Sequence, residues 1–158
     1  MYTSMLGLAV SALLGSATPH FETEYREAKA LAAREQKPLI IVLGAGETAW
    51  SGIVTDGGPD VEALKSMHDS YVCIYVDTET DKGHRLAADF EFHNTPACII
   101  SDKTGELQAY RHEGPVTAAT FSAVLRQYAD PNRVIARTDS NQPNTSNYAP
   151  PVQQQCLT

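Results

Sequence analysis

The sequence predicts an α/β fold: a three-layer α/β/α sandwich around a central mixed sheet. Three observations predict it. Helical and strand patterns alternate through residues 21–131 in the order α-β-α-β-α-β-β-α. Two strand patterns, 39–43 (LIIVL) and 71–77 (YVCIYVD), are nearly continuous apolar runs, as in strands covered on both faces. The last two strand patterns are joined through Asp102-Lys103-Thr104-Gly105, a turn signal, so the sheet closes on an antiparallel hairpin.

Each element has a local reason. Residues 22–36 place Tyr25, Ala28, Leu31 and Ala32 on one helical face, with Glu22, Glu24 and Glu27 in the first turns, where the helix dipole favours acids. Lys37-Pro38 ends that helix, because a residue before proline avoids helical geometry. After the strand 39–43, residues 48–55 make a short helix, stopped by Asp56-Gly57-Gly58-Pro59. Asp60 caps a further helix carrying Val61, Leu64 and Met67. Asp81 caps residues 82–92, where Leu86, Ala87 and Phe90 share a face. Residues 97–101 (ACIIS) are a third strand, and 107–112 are its hairpin arm. Thr117 caps the last helix, with Phe121, Val124, Leu125 and Tyr128 inward, and Asp130-Pro131 ends it.

The two ends of the 158 residues read differently. In 1–20, the apolar run from Met5 to Leu14 is too short for a stable membrane span, which takes about 20 residues. It fits the core of a secretory signal, with Gly15 and Ala17 before a cut after Ala17, although no Lys or Arg precedes it. Export to the periplasm or beyond is one reading; a buried or frayed N-terminal helix in a cytoplasmic protein is the other. Residues 132–158 are rich in Asn, Gln, Ser, Thr and Pro, and are expected to be a disordered polar tail.

Charge narrows the partners. The chain has 12 Lys and Arg against 19 Asp and Glu, a formal net charge of −7. Residues 21–131 hold ten of the bases and eighteen of the acids, net −8, so the acidity belongs to the fold. Such a surface repels phosphate, and no nucleic-acid partner is expected. Gly44-Ala45-Gly46 follows a strand but lacks the rest of a phosphate loop. Asp77, Glu79 and Asp81 lack the glycine and closing glutamate of a calcium loop. The five histidines show no metal-ligand spacing, so neither metal nor cofactor is expected.

More specific landmarks are Ala28-Lys29, Gln36-Lys37-Pro38 running into the first long strand, Asn94-Thr95-Pro96 before the third strand, Asp102-Lys103-Thr104-Gly105, and Gly114 after the last strand. In this order and spacing they resemble the thioredoxin-like superfamily across residues 21–131. The resemblance implies a cis Thr95-Pro96 bond beside a redox site, with the preceding backbone pairing with an extended substrate. It also implies a Cys-x-x-Cys at the start of the helix after the first long strand. Counted without gaps, that motif falls on Thr48-Ala49-Trp50-Ser51; a second register puts Ser51 and Val54 at its cysteine positions. In both registers the cysteines are absent, because no Cys stands between residues 1 and 72. A hydroxyl forms no disulfide and ionises far above a thiol, so thiol–disulfide exchange through this site is chemically excluded.

The other cysteines do not substitute. Cys73 and Cys98 fall in strands that, in the implied strand order, flank the first long strand. Two strand spacings put their Cα atoms about 10 Å apart, beyond the roughly 7 Å limit for a disulfide. They read as buried free thiols, and Cys156 falls in the tail. His93, three residues before Pro96, is expected to approach Thr48 and Ser51.

The functional expectation is a redox-inactive domain that binds an extended peptide or client protein in a groove formed by Trp50, Thr95, Pro96 and His93. Two alternatives belong to other classes. One is an enzyme that binds glutathione or another thiol through Ser51 or Thr48. The other is a structural component of an assembly.

Overall fold

The computed structural model describes residues 18–55 and 57–140. The N-terminal apolar run and Cys156 lie outside the described residues. Six strands form one sheet in the order β1-β3-β2-β4-β5-β6. They are β1 (Phe21–Glu22), β2 (Leu39–Gly44), β3 (Val72–Asp77), β4 (Ala97–Ser101), β5 (Gln108–Glu113) and β6 (Asp139–Ser140). The neighbours β1, β3 and β2 run parallel, and β4 and β5 form the antiparallel hairpin. The helices are α1 (Tyr25–Glu35), α2 (Val61–Ser70), α3 (Asp81–Asp89) and α4 (Ala118–Tyr128), with a 3-10 helix at Ala49–Ile53.

Strand β2 is the centre of the core, and all six of its residues are buried. Its alternation divides the interior in two. Ile40 and Val42 pack with Met67, Phe121 and Leu125 under α2 and α4. Leu39, Ile41 and Leu43 pack with Ala28, Ala32, Ala87 and Phe92 under α1 and α3. The three expected layers follow from that division.

Helix ends agree with the sequence where a side chain caps them. Asp60 accepts the Ala63 N–H at 2.7 Å, and Thr117 accepts that of Thr120 at 3.2 Å. The third helix departs from expectation: Thr80 is its cap, accepting the Gly83 N–H at 3.0 Å, and Asp81 is its first residue. Gly83 has a packing reason, since a Cβ there would lie 1.9 Å from the Asp77 carbonyl oxygen. The first helix starts at Tyr25 and not at residue 22, because Phe21–Glu22 pairs with Cys73–Ile74 at the sheet edge.

The boundary at residue 131 also shifts. Residues 132–140, assigned from composition to a polar tail, pack along the other edge of the sheet. Asp139–Ser140 pairs with Tyr110–Arg111, and Ile135 rests on the α2/α4 side of the core. The Tyr128 hydroxyl donates to Asp139 at 2.6 Å, and Thr138 donates to the Gln108 carbonyl at 2.9 Å. A few specific contacts hold a stretch whose average composition is polar, which a windowed composition does not register.

Cys73 lies opposite Ile40 and Cys98 opposite Val42, one on each side of β2. Both are free and buried. Burial pushes each thiol up to about 12. Among the described residues, no helix is long and apolar enough to cross a membrane.

Candidate functional site

The candidate site lies where β2 and β3 end and β4 begins, with Ala97 opposite Leu43. Four loops meet at this end of the sheet. The first leaves β2 at Gly44 and is pinned to the end of β3. Thr78 donates its N–H and its hydroxyl to the Gly44 carbonyl at 2.8 and 3.0 Å. Gly46 donates its N–H to Asp77 Oδ1 at 2.8 Å, and the Tyr75 hydroxyl donates to the Gly46 carbonyl. Gly44 is required by this packing, since a Cβ there would lie 2.8 Å from the Tyr75 hydroxyl. The carboxylate of Asp77 takes the Gly46 N–H that a phosphate would use.

Thr48 follows as the residue before the 3-10 helix, exposed and without a side-chain capping bond. Ala49, Trp50 and Ser51 form the turn itself. The hydroxyls of Thr48 and Ser51 therefore start a single 3-10 helix of five residues. The short helix expected over 48–55 is this 3-10 turn, and the α-helix that Asp60 caps begins at Val61. The concentrated N-terminal dipole that lowers a thiol's pKa belongs to α2. Val54, a cysteine position in the second register, is a buried residue bridged to Val116.

Trp50 is half-buried on the α2/α4 side of the core. Its ring meets Phe21 at 5.0 Å between centroids, tilted by 51°, and Phe21 meets Tyr75 edge-on at 6.4 Å. The sequence does not signal this aromatic trio, because β1 carries Phe21 across from a distant part of the chain.

The Thr95-Pro96 peptide bond is cis. Thr95 is exposed and Pro96 half-buried. One loop ties this corner to the 3-10 helix: Gly114 donates to the Pro96 carbonyl at 2.8 Å, and Val116 donates to the Ile53 carbonyl at 2.8 Å. Thr55 in turn donates its N–H to the Val116 carbonyl at 2.8 Å. The Thr95-Pro96 corner and the Thr48–Ser51 turn are thus two parts of one hydrogen-bonded rim.

His93 is exposed, in the segment that leads to Thr95-Pro96. It lines a cleft of about 780 Å³ with His84, Ala88, Glu91, Phe92, Arg111 and Glu113, on the α3 side of the sheet. Two β5 residues pull the preceding segment there. Arg111 donates to the carbonyls of Phe90 and Glu91 at 3.1 and 2.8 Å, with its guanidinium 4.3 Å over the Phe92 ring. Glu113 accepts from the Asn94 amide at 3.2 Å. Burial opposes ionisation of Glu113, but hydrogen bonds from Asn94, Arg111 and the His93 N–H outweigh it and hold its carboxyl below the usual glutamate range. No local motif marks Arg111 or Glu113, since their role depends on hairpin register.

His112 stands opposite Cys98 and stacks on Tyr110, with centroids 6.5 Å apart. Burial, opposed by a Pro115 backbone hydrogen bond and by Glu113, pulls its imidazole below the usual histidine range, and its Nδ1 is buried with no hydrogen-bond partner among the described residues. Among the described residues, no group of three or more His, Cys, Asp or Glu side chains is placed to hold a metal ion.

The sequence matches no protein-family profile and no curated protein. Solved structures do match. The structure of DsbH oxidoreductase superposes with a TM-score of 0.58, covering 82% of this chain and 96% of that one at 17% identity. A thioredoxin from Thermus thermophilus superposes with a TM-score of 0.53, covering 66% of this chain and 83% of that one at 21% identity. The fold is thioredoxin-like. The thioredoxin-like domain has its three cysteines at positions 73, 98 and 156, too far apart for a Cys-x-x-Cys. At these identities the likeness concerns architecture, and activity is to be argued from the site.

Proposed function

We propose that this thioredoxin-like domain does no dithiol–disulfide chemistry and binds an extended polypeptide segment along the Thr95-Pro96 edge. One observation carries the reading: the rim joins an exposed Thr95 to a turn whose reactive positions are hydroxyls, Thr48 and Ser51. A serine or threonine without an activating base does not attack a disulfide at neutral pH. Among the described residues, no side-chain hydrogen bond joins a histidine to Thr48 or Ser51, and Thr48 makes no side-chain capping bond. An exposed Thr95 just before β4, at the end of the sheet where the half-buried Trp50 also lies, supports recognition by main-chain hydrogen bonds plus a side-chain contact.

Two measurements test the two halves. Insulin reduction in the presence of dithiothreitol is expected at background rate for the wild type. Turnover above background would refute the redox half. For the binding half, Trp50 is the one tryptophan of the chain, so its emission reports on the rim directly. Titration with extended peptides lacking tryptophan is expected to shift that emission and the NMR resonance of the Thr95 amide. Binding that leaves the Thr95 amide unmoved would refute the edge.

A further inference from the structure

The loops at the candidate site share one sign of charge. The topology places spans 45–55, 57–59, 77–81, 90–96 and 113–117 at one end of the sheet, because β2, β3 and β5 end there and β4 begins there. Those spans contain no Lys or Arg. Their described carboxylates include Glu47, Asp77, Glu79, Asp81, Glu91 and Glu113. Two of these are engaged within the fold: Asp77 by the N–H groups of Gly46 and Glu79, and Glu113 by Arg111 and Asn94. Glu47, Glu79, Asp81 and Glu91 are exposed. The nearest cation along the chain, Lys82, is paired with Glu24 on the α1 side.

The opposite end is balanced. Spans 36–38, 102–107 and 129–133 carry Lys37, Lys103 and Arg133 against Asp102, Glu106 and Asp130. The acidity of the domain is therefore concentrated at the rim that joins Thr95 to Thr48 and Ser51. Arg111 reaches this end from β5 but is held by Glu113 and the Phe90 and Glu91 carbonyls, so the exposed carboxylates dominate; they attract a basic partner and repel anionic ones, including nucleic acid and anionic lipid.

We infer that the segment bound at the Thr95 edge is a basic polypeptide, rich in Lys and Arg. The inference rests on the Thr95 edge being the peptide site. The carboxylates act as a field around that edge, raising the encounter rate and selecting partner charge, while main-chain pairing supplies the fixed contact.

The test uses the full chain and three tryptophan-free synthetic peptides of equal length: Lys/Arg-rich, neutral Ser/Thr-rich and Glu/Asp-rich. The readouts are Trp50 emission, the Thr95 amide resonance and the salt dependence of affinity. The basic peptide is expected to bind about tenfold or more tighter than the neutral one. Its advantage should shrink as salt rises from about 50 to about 500 mM. Glu47→Lys/Glu79→Lys should abolish the advantage, while Glu106→Lys at the opposite end should leave it intact. Equal binding of the basic and neutral peptides overturns the charge inference and leaves the edge standing. Tight basic binding that leaves the Thr95 amide unmoved overturns the edge and leaves the acidic end as a docking surface. No binding by any of the three overturns both.

Discussion

Gly46 donates its backbone N–H to the carboxylate of Asp77 at 2.8 Å, which fixes the loop leaving the central strand to the end of its parallel neighbour. The same carboxylate oxygen accepts the Glu79 N–H at 3.0 Å. Asp77→Ala removes the shared acceptor and leaves two donors seeking water. The expected cost is about 1–3 kcal/mol. Hydrogen exchange should show faster exchange across 44–50 than in the wild type, and Asp77→Asn should restore part of the protection. Unchanged exchange in Asp77→Ala would mean that Thr78 and the Tyr75 hydroxyl hold the loop without it.

Gly83 is the tightest close approach at this end of the sheet. A methyl group in Gly83→Ala would meet the Asp77 carbonyl oxygen, part of the backbone, at 1.9 Å. The first turn of α3 must then move off the end of β3. A loss of about 3 kcal/mol or more is expected, measured as a drop in Tm. Gly52→Ala is the control, since nothing lies within 4 Å of its Cβ position.

The buried thiols make stability fall at high pH. Burial raises Cys73 and Cys98 from an ordinary value of 9.0 to about 12. A raised pKa favours the neutral thiol in the fold, so this stability is fully present below about pH 9 and is lost as pH climbs toward about 12. In a Cys156→Ser background, a thiol reagent at pH 8 should label the native protein slowly and the denatured protein at two sites. Rapid native labelling would contradict the burial of both thiols.

The C-terminal strap depends on one hydroxyl. Tyr128→Phe removes the donor to Asp139. The expected cost is about 1 kcal/mol, with faster exchange and earlier proteolysis across 132–140. The Tyr128 hydrogen bond, opposed by burial and aided by Arg137 and Arg133, holds the Asp139 carboxyl below the usual aspartate range. A lowered pKa places this stability above the ordinary aspartate range, so the strap should loosen as pH falls through that range and below.

Reactivity can be regained only if the backbone suits it. Thr48→Cys/Ser51→Cys puts two thiols on the 3-10 turn, away from the N-terminus of α2. Their pKa values should remain nearer the ordinary 8.5 than those of a thiol on an α-helix start. Insulin reduction by the double variant is expected to be weak, and its thiolate absorbance titration should show the reason. A strongly acidic thiol in that variant would show that the 3-10 turn supplies the missing field.

The strands were legible because their signals are local. Leu39–Gly44 and Ala97–Ser101 are apolar runs bounded by Pro38 and Pro96, and burial on both faces permits no polar interruption. The caps at Asp60 and Thr117 were legible for the same reason, since the acceptor and its N–H are three residues apart. The cleft that His93 lines was not. It depends on Arg111 and Glu113, about 20 residues away, reaching back across the hairpin. The end of the domain was misjudged because Ile135, Thr138 and Asp139 act singly, and Gln108 and Tyr128, the partners of the last two, lie on other elements.

The sequence by itself determined the layered α/β fold, the absence of a Cys-x-x-Cys, and the net acidity of the folded segment. Each depends only on residue identity and short-range periodicity. Tertiary structure alone decided where those properties meet. It put Thr48 and Ser51 on a 3-10 turn and not on a long helix, linked them through residues 114–116 to Thr95-Pro96, and gathered the carboxylates at that rim. The reason is geometric: strand direction and register bring four distant loops to one end of the sheet, and no local pattern encodes which loops those are.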